Sequence, residues 1–198
     1  MAKPRPVKGV RPDGRLAPNA RRILAVRIDE VYQYDGDVAD PAKVTELHDM
    51  RIACKRLRYL LEIFGAAFED DLHPYIDEVK ELQDVLGDIH DCDVQVPMLQ
   101  AHLRWLDQRE GERLGEMLGD APGGRAPRTE KQVEAAFARF RQGFDQARRA
   151  DERPGLHTMI AMRREQRDEL YARFIERWRR LKKERFRASL EATLGIDG

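Results

Sequence analysis

One short stretch concentrates the side chains that could do chemistry. Residues 47–59, LHDMRIACKRLRY, hold one histidine and four cations among apolar residues at helical spacing. Because each helical residue turns by about 100°, four of these five polar groups form a single file along the predicted helix. This set, here called the basic file, consists of His48, Arg51, Lys55 and Arg58. Guanidinium groups bind phosphate oxygens in pairs, and ammonium groups act as movable point charges. The spacing therefore predicts a site for a linear, phosphate-like anion.

The basic file borders the apolar face of the same predicted helix. Eight apolar residues share an adjoining arc of about 140°, namely Leu47, Met50, Ala53, Cys54, Leu57, Leu60, Leu61 and Phe64. Cations at the edge of a core are expected to face a groove between helices, whereas Arg56 falls off the file. The alternative interpretation is a salt-bridged surface, served by the acidic segment 69–93 and by Glu62, four residues after Arg58.

A second set of arginines lies on the apolar face of the predicted last helix. Arg163 and Arg167 point the same way as the apolar residues before and after them, and Arg185 repeats the pattern. An unpaired guanidinium is too costly to bury. These arginines are therefore predicted either to pair with acids, with Asp84 and Asp88 as candidates, or to face a wet cavity that holds an anion.

The predicted third helix carries its polar residues on two flanks. Gln83, Gly87 and His90 share one flank, and Asp84, Asp88 and Asp91 share the other. Glycine inside a helix costs about 1 kcal/mol relative to alanine. Gly87 is therefore predicted to permit the close approach of a neighbouring helix.

Two His-Asp dipeptides, His48-Asp49 and His90-Asp91, support an enzymatic alternative. Some all-helical phosphohydrolases use such residues to hold a metal that activates water. The cations that follow the first dipeptide would repel a divalent metal, and the sequence contains neither a nucleophilic triad nor a zinc-ligand spacing. The sequence therefore predicts no catalytic residue and no metal ligand, with the phosphohydrolase kept as the alternative.

Helical periodicity dominates the chain and predicts an all-α protein, an antiparallel bundle of long helices. A basic tail at 1–17 is predicted to be disordered, and the remaining residues, 18–198, form a single helical domain with a flexible loop at 119–128. Asn19 and Asp40 are the predicted N-caps of the first two helices, and Pro97 marks a stop or kink. The predicted helices span 20–34, 41–65, 74–95, 98–118, 129–147 and 154–194.

Composition narrows the choice of partners and location. The 198 residues are 36% charged and 7% aromatic, and the formal net charge is zero. Without a net positive field or aromatic side chains interleaved with the cations, nucleic acid is a weaker candidate partner, kept as a second alternative. Two cysteines without motif spacing indicate a reducing compartment, and no apolar run resembles a signal peptide or membrane span. A cytoplasmic protein that does not enter the membrane is predicted.

Two motifs together resemble the CHAD family, the conserved histidine α-helical domain. They are HDMRIACKRLRYLLEIF at 48–64 and LQDVLGDIHDCDV at 82–94. The resemblance covers most of residues 20–100 and implies a non-catalytic domain without a cofactor. Such a domain binds inorganic polyphosphate through a basic central cavity lined by the 48–58 helix and the C-terminal helix. It also implies association with polyphosphate granules.

The resemblance also implies roles for individual residues. His48, Arg51, Lys55, Arg56 and Arg58 correspond to the family's basic cluster, joined by Arg163, Arg164 and Arg167 from the last helix. Gln83, Leu86 and Gly87 correspond to packing positions. Arg21 and Arg22, from the basic N-terminal segment, are further candidates for polyphosphate binding. Histidine is expected to add affinity as the pH falls toward about 6.5.

The chain departs from the family in one respect, because the family contains two similar four-helix halves. Only one clear copy of the histidine-containing basic helix is present here, so the bundle is expected to be similar to one half of the two-bundle architecture. A homodimer could rebuild the other half. Ile52, Tyr59 and Ile63 form a second apolar strip on the same helix, predicted to make that contact.

Overall fold

The protein is built from helices, as predicted. The computed structural model describes residues 3–119, 134 and 151–196, and no strand occurs within these ranges. The helices are α1 (Leu16–Tyr32), α2 (Val44–Phe64), α3 (His73–Gly119), α4 (Arg153–Lys183) and α5 (Phe186–Leu194). Two short 3₁₀ turns, Asp37–Ala39 and Gly65–Ala67, follow α1 and α2. None of the helices described is long and apolar enough to cross a bilayer.

Contacts divide the chain into two compact units. The first unit comprises residues 1–94 and 165–198, and the second comprises 95–164. The predicted single domain at 18–198 stays a prediction. Apart from Gly119, which ends α3, the loop predicted at 119–128 lies outside the described residues, as does most of the helix predicted at 129–147.

The first unit buries one face of each of its helices in a shared core. On α2, six of the eight residues of the predicted apolar face are buried, and Leu60 and Phe64 are partly buried. The six are Leu47, Met50, Ala53, Cys54, Leu57 and Leu61. Phe174 and Trp178 of α4 enter the same core, with 0% and 3% of their surface exposed. Full burial of such a side chain contributes roughly 1.5–3 kcal/mol. The core therefore fixes the rotation of α2 and, with it, the direction of the basic file.

The second unit has a small apolar cluster of its own. Leu103 of α3 is buried against Leu156 and Ile160 of α4. Partly buried side chains from α3 pack around these three residues, namely Val96, Leu99 and Leu106.

Pro97 does not end a helix, so the prediction of separate helices at 74–95 and 98–118 is wrong. A proline inside a helix costs about 3 kcal/mol through the lost hydrogen bond and steric conflict. The inward-facing residues nevertheless keep steps of three and four across it, at Ile89, Cys92, Val96, Leu99 and Leu103. Burial of these side chains in the cluster of each unit outweighs the local cost, and Pro97 itself is exposed.

The single last helix predicted at 154–194 is interrupted at Arg185. This residue adopts a left-handed conformation with φ of 54°, between α4 and α5. On a continuous helix, Leu190 and Leu194 would lie about 120–160° away from Trp178 and its apolar face. The break lets α5 turn these two leucines into the core, where both are buried. Arg185 therefore does not extend the arginine pattern of the last helix.

The N-terminal boundaries also differ from prediction. Leu16 and Ala17, predicted to lie in the disordered tail, belong to the first turn of α1. Asn19 does not cap the helix. Its side chain instead exchanges two hydrogen bonds with the backbone of Arg11, at 3.1 and 2.6 Å. The Asp40 carboxylate accepts a hydrogen bond from the Ala42 amide in a turn, and α2 begins only after that turn.

Candidate functional site

The basic file of α2 faces the Gln83 flank of α3. The His48 ring centroid lies 4.4 Å from that of His90, with the two rings tilted by 40°. One turn further along α2, the Arg51 side chain lies against Gly87, where an added Cβ would be 3.4 Å from Nε. These two contacts run in opposite directions along the chain, so α2 and α3 are antiparallel here. The absence of a side chain at Gly87 therefore leaves room for the side chain of Arg51.

The surface along which the basic file of α2 faces the Gln83 flank of α3 is here called the α2–α3 seam. Four of its polar side-chain atoms are buried without a hydrogen-bond partner in the described part of the chain. They are His48 Nδ1, Arg51 Nε, Arg58 Nε and Gln83 Oε1. A buried polar atom left unpaired costs about 1–3 kcal/mol. Two of the four are guanidinium donors, and a third is an imidazole nitrogen that donates or accepts according to its tautomer. The seam therefore offers hydrogen-bond donors to a group that can accept them.

The cations of the file differ in how far the protein already neutralises them. Arg58 Nε lies 3.4 Å from the Glu62 carboxylate, as its spacing predicts, and its guanidinium carbon is 4.7 Å from the Tyr59 ring centroid. Lys55 is exposed, with Nζ 5.8 Å from the same centroid. Among the described residues, neither Arg51 nor Lys55 forms an ion pair with a carboxylate. These two side chains keep their charge for a ligand.

His48 favours its neutral form in the folded protein. Its pKa is lowered from 6.5, first by burial and then by repulsion from His90. Asp49 opposes this shift, and Arg51 adds a smaller repulsion. In the free protein the pKa of His48 therefore lies below the 6.5 expected from the sequence. An anion at the seam would act in the opposite direction, because it favours the imidazolium form.

Arg56 is held by a buried carboxylate that the sequence did not reveal. Its Nη1 lies 3.4 Å from the carboxylate of Glu30, a residue only 1% exposed. Glu30 also pairs with Arg27 of the same helix and accepts a hydrogen bond from the Arg5 amide. The i,i+3 spacing of Arg27 and Glu30 was visible in the sequence, but the long-range contact was not. Arg56 thus joins α2 to α1, off the basic file as predicted.

Arg167 is paired, but not with the predicted acids. Its Nε donates to Asp93 at 2.6 Å and its Nη2 to the Pro41 carbonyl at 2.7 Å. Both charged side chains are mostly buried, with 16% and 11% exposed. The prediction of Asp84 or Asp88 as its partner is therefore wrong, because Asp93 satisfies its charge. Arg167 fastens α4 to α3 and to the turn before α2.

Arg163 and Arg164 belong to the second unit. Arg163 is half-buried and Arg164 is exposed. Their contribution to a common site with the basic file stays a prediction.

Arg21 and Arg22 contact other parts of the first unit. Arg21 Nε donates to the Leu194 carbonyl at 2.8 Å, where it closes the end of α5, and its guanidinium carbon lies 6.0 Å from the Phe68 ring centroid. Arg22 is exposed and donates to the Pro18 carbonyl at 3.2 Å within α1. Neither contact involves the basic file.

A groove of about 450 Å³ lies between α3 and α4, but it is not the predicted basic groove. Asp84 and Asp88 line it, as their shared flank predicts, together with further acids and arginines: Glu78, Glu81, Glu176, Arg173, Arg177 and Arg180. Arg177 and Arg180 bind Glu78 at 2.7 and 2.8 Å. Its lining carries more acids than cations, so it does not suit a polyanion.

One contact fits the metal-dependent phosphohydrolase alternative, and two other observations do not. His48 and His90 meet, as that alternative requires, but Asp91 is exposed. Over the ranges described, no three His, Cys, Asp or Glu side chains are grouped so that they could hold a metal ion. Cys54 and Cys92 are both buried, and burial raises the pKa of the Cys54 thiol to about 12.

Comparison with known proteins agrees with the two motifs. The model of the CHAD domain matches residues 2–100, half of the chain, and this range includes α1, α2 and the flank of α3 that faces the basic file. Searches of curated proteins and of solved structures returned no match. With its all-helical fold, its basic helix and this family match, the chain belongs to the CHAD domain family.

Proposed function

We propose that this protein is a non-catalytic module that binds inorganic polyphosphate along the basic file of α2. The observation that carries the proposal is the set of buried, unpaired polar atoms on the α2–α3 seam. Buried polar groups in proteins are almost always paired, and exceptions indicate a function. Donors on His48 and Arg51, beside the unpaired ammonium group of Lys55, suit the oxygens of a phosphate chain.

The spacing of the file suits a repeating anion. A helix rises by about 1.5 Å per residue, so the four side chains from His48 to Arg58 extend over roughly 15 Å. A single orthophosphate reaches only one or two of them, whereas a linear polyphosphate places a negative charge opposite each. Such binding gains from counterion release and therefore weakens as salt rises. Cytoplasmic location and association with polyphosphate granules belong to the same proposal.

The local charge supports binding more than the overall charge does. The chain has no net charge, so attraction depends on the seam. Arg56, Arg167 and Arg21 are engaged by Glu30, Asp93 and the Leu194 carbonyl. We therefore assign these three arginines to the framework and the basic file to the ligand.

The proposal is tested by titrating the full chain with linear polyphosphate of defined length at several salt concentrations. The triple variant R51A/K55A/R58A is expected to lose binding while keeping its helical circular dichroism spectrum. The matched control removes three exposed cations of α4 that lie outside the basic file, R173A/R179A/K183A, and is expected to bind as the wild type does. Unchanged affinity in R51A/K55A/R58A would overturn the proposal.

Two further measurements separate the alternatives. Duplex DNA and single-stranded RNA, titrated under the same conditions, are expected to bind more weakly, and equal competition with polyphosphate would favour the nucleic-acid function. Chelator-sensitive hydrolysis of a phosphate ester, lost in H90Q, would favour the phosphohydrolase.

A further inference from the structure

We propose that His90 is a further polyphosphate-binding residue, and that His48 and His90 form one unit that takes up a proton when the ligand binds. The inference rests on the proposed function and adds to it a residue from α3 and a dependence on pH.

The geometry places the two imidazoles in direct contact. Their ring centroids are 4.4 Å apart, both side chains are half-buried, and Nδ1 of His48 is buried without a hydrogen-bond partner. Gly87, one turn before His90 on α3, leaves space beside the pair for Arg51. The end of the basic file is therefore formed by two helices, and a ligand that reaches His48 also reaches His90.

Burial and the neighbouring His90 make protonation of His48 unfavourable in the free protein. On α2, Arg51 repels an imidazolium at position 48 and Asp49 attracts it. On α3, Asp91 is exposed, and Asp93 is neutralised by Arg167 of α4 at 2.6 Å. A positive charge at His90, 4.4 Å away, also disfavours the imidazolium form of His48. A polyanion at the seam reverses this balance because it attracts every proton that the pair takes up.

Linkage then gives the direction of the effect. If binding takes up a proton, affinity must rise as the pH falls, by about tenfold per pH unit for each proton. At higher pH, Arg51 and Lys55 still hold the ligand, so the affinity reaches a lower plateau. The steep range is expected below the ordinary histidine pKa of about 6.5.

The experiment is calorimetric titration of the full chain with linear polyphosphate of defined length, from about pH 8 to about pH 5.5 at constant ionic strength. Repetition in buffers of different ionisation enthalpy counts the protons taken up. The wild type is expected to gain about tenfold in affinity per pH unit in the steep range, with close to one proton taken up. H48Q and H90Q are each expected to show a markedly shallower slope and less proton uptake.

Two further variants test whether a shallower slope arises from lost protonation of the pair or from a general change in structure. H90R places a permanent charge beside His48, so its affinity at high pH is expected to rise toward the value that the wild type reaches in acid. H73Q removes an exposed histidine that pairs with Asp71 at 2.6 Å, and it is expected to keep the wild-type slope.

The outcomes separate this inference from the proposed function. An absence of binding by the wild type at any pH would overturn the proposed function. Binding with a pH-independent affinity, or with the same slope and proton uptake in H90Q as in the wild type, would overturn the role of the histidine pair and leave the proposed function standing.

Discussion

At the scale of single residues, the unpaired polar atoms of the α2–α3 seam lower the stability of the fold. A buried donor or acceptor without a partner costs about 1–3 kcal/mol. The seam has three such atoms besides Arg58 Nε, which lies 3.4 Å from the Glu62 carboxylate. Partial exposure of the side chains reduces this cost, since water reaches part of each group. Two buried carboxylates elsewhere in the first unit, Glu30 and Asp93, are paired with arginines. The contrast favours a role for the seam in binding over one in folding.

Gly87 offers a way to separate binding from stability. The variant G87A is expected to raise the free energy of unfolding by up to about 1 kcal/mol, because alanine is the better helix former. Its Cβ would contact Arg51 Nε at 3.4 Å, so it would crowd the side of the guanidinium that carries the unpaired atom. Polyphosphate affinity is therefore expected to fall while stability does not. Urea denaturation and calorimetric titration measure the two effects.

The control for this prediction is G111A. Gly111 also lies in α3, and a Cβ there meets nothing within 4 Å. This variant is expected to gain similar stability with unchanged affinity. Equal affinities for G87A and the wild type would show that the position of Arg51 does not matter to the ligand.

The rotation of each helix could be predicted from the sequence better than the pairing of its charges. Helical spacing alone identified the buried face of α2, the basic file and the exclusion of Arg56 from it. It did not identify the partners of Arg56 and Arg167, because Glu30 and Asp93 are 26 and 74 residues away along the chain. Such pairs depend on how helices pack, and local periodicity carries no information about that.

At the scale of elements, helix ends proved harder to predict than helices. Proline is a reliable stop only where the apolar stripe also stops, and around Pro97 the stripe continues. The break at Arg185 had no sequence signal, since the chain uses an arginine at a left-handed position that glycine usually occupies. Burial of Leu190 and Leu194 compensates for that conformation.

The two left-handed residues around α5 predict opposite effects of substitution. R185G removes a side chain from a residue with φ of 54° and is expected to stabilise the protein by about 1 kcal/mol. G195A adds a side chain at φ of 63°, next to Arg21, and is expected to destabilise it by about the same amount. Thermal denaturation of both variants provides the measurement. A loss of stability in R185G would indicate that the Arg185 side chain itself supports the junction.

At the scale of the whole molecule, the sequence identified both the fold class and the family. The charge distribution was equally visible, because basic and acidic segments alternate along a chain without net charge. The division into two compact units was not predicted, since α3 and α4 each read as regular helices on both sides of the boundary. The spatial grouping of helices depends on long-range contacts.

The pH dependence of stability is predicted to carry the signature of His48. Its pKa is lowered in the folded state, first by burial and then by His90. Below about pH 6.5, His48 therefore binds a proton in the unfolded chain but stays neutral in the folded protein. The free energy of unfolding should fall through that range until the lowered pKa is passed. H48Q is expected to show a smaller fall between about pH 7.5 and pH 5.5 in urea denaturation.

His73 supplies a control of opposite sign. The pKa of His73 is raised by its hydrogen bond to Asp71. Its contribution to the stability of the fold is therefore present in acid and is lost as the pH rises through the folded pKa. H73Q is therefore expected to steepen the acid fall slightly. If H48Q and H73Q shift the pH profile in the same direction, the assignment to His48 is wrong.

The two tryptophans of the chain fall one in each compact unit. Trp178 is 3% exposed and donates to Asp35 at 2.8 Å, whereas Trp105 is 49% exposed and stacks on His102. Their intrinsic fluorescence should therefore differ, with blue-shifted emission shielded from iodide for the first and red-shifted, readily quenched emission for the second. In the variant W105F, Trp178 is the remaining tryptophan and lies in the unit that carries the basic file. The tryptophan fluorescence of this variant therefore follows the unfolding of that unit alone.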